Sequence, residues 1–407
     1  MKGHQNMKKL FKISFGILTL SVINICSVAG YYALNLPDSY YVEKGKQLEL
    51  STVFDISASP ETETLASFAG ETYPTTTAAS LKLFGIIPVK DVELHTVETP
   101  VLVPGGDPFG IKLLMDGVMV IDTGEIRSQD GMISPADDCG IKKGDIILTI
   151  DGEEVSSNSD IQNAVSDSGG DSMKVKLIRD GEEIMTSLTP AFSLSDSCYK
   201  AGMWVRDSTA GVGTVTFYEP ETGRFGGLGH PVCDADTGEI VPISSGEAVD
   251  VRINGVIPGT SGAPGELRGT FISDNSSGVI YFNNKFGVYG EMLKDISSSG
   301  AIPMGLKQEV KTGFAEIYTT IDENGPKKYE ISIEKINQKN TDTKNMIIRV
   351  TDEELLSKTG GIVQGMSGSP IIQDGKLIGA VTHVFVSDPT MGYAIFCENM
   401  YESGIAN

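Results

Sequence analysis

The chain has 407 residues, a length that predicts two or three domains at about 150 residues each. Its 32 Lys and Arg against 54 Asp and Glu give a formal net charge of −22. This charge argues against nucleic acid as the main partner, because phosphate contacts need clustered basic side chains. Five well-separated cysteines and four histidines without metal-ligand spacing predict no disulfide framework, no metal and no cofactor.

Residues 1–36 contain an apolar stretch from Ile13 to about Leu36, preceded by Lys8, Lys9 and Lys12. A membrane-spanning helix needs about 20 apolar residues, so this stretch is long enough to be an anchor. The lysines predict that the N-terminus stays in the cytoplasm and that the rest of the chain is exported. The alternative is a cleaved signal peptide, for which Ser27–Ala29 is an acceptable small-x-small site.

The next segment, residues 37–100, is polar and rich in Thr, Ser and Glu. It contains one strand-like run, Leu81–Ile87. We interpret it as a small β-rich stalk with linkers, and its sequence indicates no function.

Residues 101–191 carry a more specific pattern, Gly-Ile-Lys-Lys-Gly-Asp-Ile-Ile-Leu-Thr-Ile-Asp-Gly-Glu at 140–153. This segment resembles a PDZ domain. In such domains a peptide adds as a strand to a sheet edge, and backbone N–H groups of a Φ-Gly-Φ loop bind its terminal carboxylate. The resemblance implies that Phe109, Gly110 and Ile111 form that loop. The alternative is a β-sandwich in which Gly110 merely permits a bulge.

Near the C-terminus, Gly365–Pro370 reads Gly-Met-Ser-Gly-Ser-Pro and matches the Gly-x-Ser-Gly-x-Pro loop of chymotrypsin-like serine peptidases. The glycines permit a sharp turn, so that the N–H groups of Gly365 and Ser367 can converge on one oxyanion. The Ser367 hydroxyl would then face the substrate. A hairpin around Asp374-Gly375 follows and would support the loop.

The same pattern also occurs at Gly259–Pro264, so the motif alone does not identify the nucleophile. We favour Ser367 over Ser261 because no comparable hairpin follows Ser261. His230, which lies between Gly229 and Pro231 on a predicted open turn, is the candidate base.

The acid is harder to assign, because eight aspartates lie between His230 and Ser367. Asp352 follows the predicted strand Met346–Val350, which could fix its carboxylate beside the imidazole. It could equally cap the helical turn at residues 353–356. The residues alone leave both roles open.

Together, the apolar N-terminal segment, the PDZ-like module, Gly-Leu-Gly-His and Gly-Ile-Val-Gln-Gly-Met-Ser-Gly-Ser-Pro-Ile-Ile resemble the SpoIVB peptidase family of endospore-forming bacteria. The resemblance implies a mainly β fold with a chymotrypsin-like double β-barrel over residues 192–407. It also implies a triad of Ser367, His230 and Asp352. The implied role is secretion from the forespore into the space between two membranes. There the protein would cleave itself and then a membrane-bound regulator of the protease that processes the late mother-cell sigma factor.

Met366 departs from chymotrypsin, where an acidic residue at this position is salt-bridged to the processed N-terminus. We therefore expect control by the PDZ module or by self-cleavage, with a peptide, a protein C-terminus or the chain's own N-terminal region as the PDZ ligand. Two alternative functions remain. One is a non-enzymatic, anchored PDZ scaffold, and the other is a general exported degradative protease with a PDZ domain.

Overall fold

A computed structural model describes residues 2–50, 52–60, 76–339 and 342–405. The chain begins with helix α1 (Lys2–Asn35). Its part from Ile13 to Asn35 has a mean hydropathy of 1.9 and is the one helix of the described chain that is long and apolar enough to cross a membrane. The apolar helix is consistent with a membrane anchor or a signal sequence.

A four-stranded sheet follows α1 and has the strand order β1-β4-β3-β2. Its strands are β1 (Ser39–Glu43), β2 (Ile56–Pro60), β3 (Thr76–Leu83) and β4 (Ile87–Val97). Tyr40, Leu81 and Leu83 form its core together with Tyr32 and Leu36 from the end of α1 and the residue after it. The predicted β-rich stalk is thus a sheet of its own, although residues 61–75 of that stalk lie outside the described residues.

The PDZ-like module combines strands with two short helices. Its elements are β5 (Val101–Pro104), β6 (Pro108–Thr123), β7 (Ile126–Ser128), β8 (Gly131–Ile133), α2 (Pro135–Asp138), β9 (Ile146–Ile150), β10 (Glu153–Glu154), α3 (Asn158–Asp167), β11 (Met173–Arg179), β12 (Glu182–Leu188), β13 (Ala191–Ser193) and β14 (Cys198–Lys200). Ser157 and Asp160 form a capping box that starts α3, where each satisfies a backbone N–H of the other. In the 140–153 motif, the buried Asp145 accepts two hydrogen bonds from the guanidinium of Arg179. The motif aspartate therefore has a structural role.

Strand β6 belongs to two parts of the molecule. The next strands along the chain are β15 (Met203–Tyr218), β16 (Arg224–Gly227), β17 (Ile243–Ile257), β18 (Glu266–Asn284), β19 (Gly287–Met292) and β20 (Ile302–Pro303). The first half of β6 pairs with β15 on one side and β17 on the other, and Val118 and Met119 in its second half pair with β9. A single twelve-stranded sheet thus joins the PDZ-like strands to the strands that follow residue 192.

This pairing contradicts the predicted carboxylate-binding loop. Phe109, Gly110 and Ile111 lie inside β6, where Gly110 is opposite Val212 on one side and Val249 on the other. Because both edges of the strand are paired, these residues cannot offer free backbone N–H groups to a peptide. The prediction for Phe109, Gly110 and Ile111 was wrong.

The C-terminal part closes into a six-stranded barrel in the order β21-β22-β23-β26-β25-β24. Its elements are β21 (Gly313–Thr319), β22 (Lys327–Ile336), β23 (Met346–Val350), α4 (Glu353–Thr359), β24 (Pro370–Gln373), β25 (Lys376–Phe385), β26 (Asp388–Phe396) and α5 (Cys397–Gly404). Alternating inward side chains such as Ile331, Ile333, Ile348 and Val350 fill the barrel. The mainly β fold class is confirmed, and the loop that carries Ser367 connects α4 to β24.

Candidate active site

The Ser367 loop is a tight turn whose residues alternate between buried and accessible positions. Gly365 and Gly368 have φ angles of +97° and +95°, which favour glycine. Met366 and Gly368 are buried, whereas Gly365 and Ser367 are half-buried. The turn therefore presents Gly365 and Ser367 towards solvent and anchors the residues between and after them.

The backbone N–H groups of the loop follow the same alternation. Met366 N donates to Val363 O at 3.1 Å and Gly368 N donates to Val381 O at 2.8 Å. Within the described residues, the N–H groups of Gly365 and Ser367 donate to no protein acceptor. An oxyanion hole requires two free amides close to the nucleophilic serine. The amides of Gly365 and Ser367, two residues apart and beside the half-buried serine, have this arrangement.

Two threonines of β15 donate hydrogen bonds to carbonyl groups of this loop. Thr214 Oγ1 donates to Gly365 O and Thr216 Oγ1 donates to Gly368 O, each at 2.7 Å. The backbone N–H of Thr214 also donates to Ser367 O at 2.9 Å. Since both threonines are buried, these hydrogen bonds are shielded from water and fix the turn on the sheet.

His230 follows a second tight turn beside the same elements. Leu228 and Gly229 have φ angles of +67° and +71°. Leu228 N donates to Thr214 O at 3.2 Å, and a Cβ on Gly229 would lie 2.9 Å from the Thr382 methyl group. Ser367 Oγ donates to Thr382 O at 2.7 Å. The loops of His230 and Ser367 thus converge on Thr214 of β15 and Thr382 of β25.

The His230 ring is held in a form suited to a base. Its Nδ1–H donates to Pro231 O at 2.8 Å, so the neutral ring carries its lone pair on Nε2. Burial lowers the pKa of His230 below its usual 6.5, which favours this neutral form at pH 7. In this resting arrangement the Ser367 hydroxyl points to Thr382 O, and it must leave that acceptor before His230 can take its proton. The hydrogen bond between a catalytic serine and its histidine commonly forms only in the substrate complex.

The loop after His230 is fastened by a buried ion pair. Asp234 has no exposed side-chain surface and pairs with Arg206 of β15, which also reaches Asp236. Burial would raise the pKa of Asp234, but hydrogen bonds from the Thr237 backbone and from Arg206 outweigh it and lower that pKa. The backbone turn that bears His230 is therefore tied to β15 at both ends.

Ser261, the competing serine, lies in a different setting. Residues 261–264 are exposed, and Ser261 Oγ donates to Ser387 O at 2.9 Å. The chain that follows pairs with the start of the nucleophile loop, where Gln364 N donates to Gly265 O at 2.8 Å. This segment therefore flanks the Ser367 loop, with Ser261 on an exposed turn.

Asp352, the predicted acid, caps α4. Its carboxylate accepts from Leu355 N at 2.9 Å. Tyr393 pairs with Ile347 on one side and with His383 on the other, so His383 lies level with Ile347. The end of β23 at Val350 is about 10 Å further along the strand, and Asp352 lies beyond it. In this structure Asp352 thus has the capping role and does not orient His230.

The cap gives a prediction that separates the two roles of Asp352. Asparagine is as good an N-cap as aspartate but lacks the negative charge, whereas alanine loses the cap. Asp352→Ala should lower the free energy of unfolding by about 1 kcal/mol, and Asp352→Asn should leave it almost unchanged. Urea denaturation measures both values. Loss of activity in a fully folded Asp352→Asn protein would return Asp352 to the catalytic set.

Comparisons with known proteins agree with this architecture. Residues 197–401, half of the chain, match the family described as SpoIVB peptidase S55. The chain belongs to this family. Residues 109–189 match the family described as PDZ domain. This member of the SpoIVB peptidase family is thus a serine peptidase that contains a PDZ domain.

Three solved structures are also similar to parts of this SpoIVB-family peptidase. The PDZ domain of the SdrC-like protein Lmo2051 from Listeria monocytogenes has 22% identity, with 23% of this chain and 90% of that chain covered and a TM-score of 0.19. The HtrA-type protease AlgW with decapeptide has 14% identity, 49% and 53% coverage and a TM-score of 0.29. The active form of the Rv3671c protease from M. tuberculosis has 13% identity, 49% and 74% coverage and a TM-score of 0.28. No curated protein matches the chain.

The PDZ domain of this peptidase has a cavity of about 510 Å³ between α3 and the start of β15. Ile161 and Val165 of α3 face Met203 and Trp204 of β15 across it. Among the described strands, this part of β15 pairs only with β6, so its other edge is open to the cavity. Sequence analysis missed this groove, although Ala201-Gly202-Met203 repeats the apolar-Gly-apolar pattern assigned to residues 109–111.

A second residue of this peptidase that sequence analysis missed as functional is His383. Its side chain is exposed on β25, and its ring contacts that of His230. The centroids are 4.9 Å apart. No spacing rule links the two histidines, and only the fold brings the turn of His230 beside strand β25.

Proposed function

We propose that this peptidase cleaves internal peptide bonds with Ser367 as nucleophile and His230 as general base. Ser367 Oγ attacks the scissile carbonyl carbon, and its proton passes to Nε2 of His230. The N–H groups of Gly365 and Ser367 bind the oxyanion. The C–N bond then breaks as His230 returns the proton to the leaving amine, and a water molecule hydrolyses the acyl-enzyme by the same steps.

One observation carries this proposal: among the residues that the structure describes, the amides of Gly365 and Ser367 have no acceptor, and they lie beside a half-buried hydroxyl. A loop that served only to connect strands would have no reason to leave both of these donors free. Asp352 is not included in this set because its carboxylate caps α4.

The test is covalent labelling of the intact chain with a fluorophosphonate probe. Oγ of the active serine displaces fluoride from phosphorus and stays bonded to it. Mass spectrometry of the digested protein should find the label on Ser367. Ser261→Ala should keep the labelling and Ser367→Ala should abolish it. Labelling on Ser261, or on neither Ser261 nor Ser367, would contradict the assignment of the nucleophile. If no serine of the chain is labelled, the result favours the scaffold function.

The substrates proposed for this site follow from family membership. The enzyme would be exported across the forespore membrane behind α1, cleave itself, and then cleave a membrane-bound regulator of the protease that processes the late mother-cell sigma factor. Support comes from the family match and from the apolar segment Ile13–Asn35. Purified protein should accumulate a shortened species that Ser367→Ala does not form. Unrestricted digestion of unfolded casein would instead favour a general degradative protease.

The groove between α3 and β15 is the proposed peptide site of the PDZ domain. A peptide can add as a strand to the open edge of Met203–Val205, with its carboxylate near Gly202. Trp204 lines this groove and is the one tryptophan of the chain. Peptides with a free C-terminus should therefore shift its fluorescence, and the same peptides with an amidated C-terminus should do so far less. Unchanged emission with both would contradict this site.

A further inference from the structure

The ring of His383 lies against the ring of His230. The two centroids are 4.9 Å apart and the planes are inclined by 39°. His383 is on β25 and is held there by pairing with Tyr393 of β26. The contact is therefore between a side chain on a barrel strand, just after a register shift between Val381 and His383, and a side chain on a turn.

The same strand also contacts the nucleophile. Thr382, the residue before His383, accepts the hydrogen bond of the Ser367 hydroxyl. Two consecutive residues of β25 thus meet the two proposed reacting side chains, one through its carbonyl and the other through its ring. Any shift of this strand segment would change the position of His230 relative to Ser367.

His230 needs such support because its other anchor, the hydrogen bond to Pro231 O, holds only one edge of the ring. The hydrogen bond from Nδ1 to Pro231 O fixes the tautomer, but its acceptor is the adjacent residue on the same turn. In chymotrypsin-like enzymes a carboxylate supplies the orientation. Here the predicted carboxylate of Asp352 caps α4 instead.

We propose that His383 is a positioning residue of this peptidase. Its ring packs on the imidazole of His230 and holds it in the plane from which Nε2 takes the Ser367 proton. The inference deepens the proposed function and rests on it. It assigns to an aromatic ring the orienting role that a third catalytic side chain has elsewhere.

The electrostatic surroundings keep this ring neutral at pH 7. His383 is exposed over part of its surface, but loss of water on its packed side lowers the pKa of His383 to about 4, with smaller contributions from His230 and Lys344. Asp342 acts in the opposite direction, and it is itself paired with Lys285.

The test compares His383→Ala with His383→Phe in the full chain. Phenylalanine keeps a flat ring and removes the ring nitrogens, whereas alanine removes the ring. We expect His383→Ala to lower kcat and the rate of fluorophosphonate labelling by about 10- to 100-fold with little change in KM. His383→Phe should recover most of this loss, because the ring-to-ring contact with His230 is kept. His95→Ala, which changes a histidine of the N-terminal sheet, is the control and should match wild type.

Each outcome is informative if thermal melts show folded proteins. Wild-type rates in His383→Ala would overturn the positioning role. A His383→Phe protein as slow as His383→Ala would also overturn it, because a ring nitrogen rather than the ring face would then be required. If wild type and Ser367→Ala label equally, the proposed function itself fails. That result is distinct from the two His383 outcomes, which concern only the positioning role.

Discussion

Replacing Ser367 by alanine is expected to lower kcat by about 10⁶-fold, and replacing His230 by alanine should have nearly the same effect. The two side chains act as one unit, since without His230 the hydroxyl keeps its proton and without Ser367 there is no nucleophile to activate. The double variant should therefore be no slower than either single variant. Kinetics on a peptide substrate measure all three rates. Additive losses would show that the two residues act independently.

Ser261→Ala is the matched control, because Ser261 occupies the same position in a second copy of the motif. Its kcat should equal that of wild type. The pH profile adds a check on His230. Its pKa is lowered from 6.5 by burial, and only the neutral ring accepts a proton, so kcat/KM should fall as pH drops through a midpoint below 6.5. A midpoint above 6.5 would contradict a buried, neutral base.

Gly368→Ala is expected to lower kcat by about 100-fold or more. A Cβ on Gly368 would lie 2.0 Å from Thr214 O and 2.5 Å from Leu228 N. These backbone atoms belong to the strand that holds the Ser367 loop and to the turn that precedes His230. Neither can move aside alone, so the methyl group must displace the serine relative to the imidazole. Steady-state kinetics of the folded variant measure the loss.

Gly262→Ala separates this clash from the backbone cost of alanine at positive φ. Gly262 has a φ of +86°, close to the +95° of Gly368, but nothing lies within 4 Å of its added Cβ. Both variants should lose about 1 kcal/mol of stability through backbone strain, and only Gly368→Ala should lose activity. Equal activities in the two variants would show that the clash at Gly368 is relieved without moving the site.

Sequence analysis predicted best where a few adjacent residues determine the geometry. The glycines of Gly365–Gly368 suffice to predict a sharp turn, and the structure has a turn there with positive φ at Gly365 and Gly368. The mainly β class followed from the resemblance to the SpoIVB peptidase family. The apolar N-terminal segment was equally readable, because its length alone decides whether it can span a membrane.

The errors concern residues whose role depends on distant parts of the chain. Phe109-Gly110-Ile111 and Ala201-Gly202-Met203 share one local pattern, and only the pairing of β6 with both β15 and β17 excludes the first from peptide binding. Asp352 could cap α4 or act in catalysis. The register of β23 against β26 places it away from the histidines and favours the capping role. His383 had no signal of its own, since its partner lies on a turn far away in the sequence.

The double membership of β6 has a consequence for dissecting this enzyme. Cutting the chain at residue 191 would take Pro108–Thr123 away from β15 and β17 and leave two long edges unsatisfied in the middle of the catalytic half. Side chains alternate between faces along a strand, so a β15 freed to slip by one residue would turn Thr214 and Thr216 away from the nucleophile turn. The peptidase half therefore depends on strand β6 of the PDZ module that precedes it. It cannot be isolated as an autonomous folding unit by removing that module.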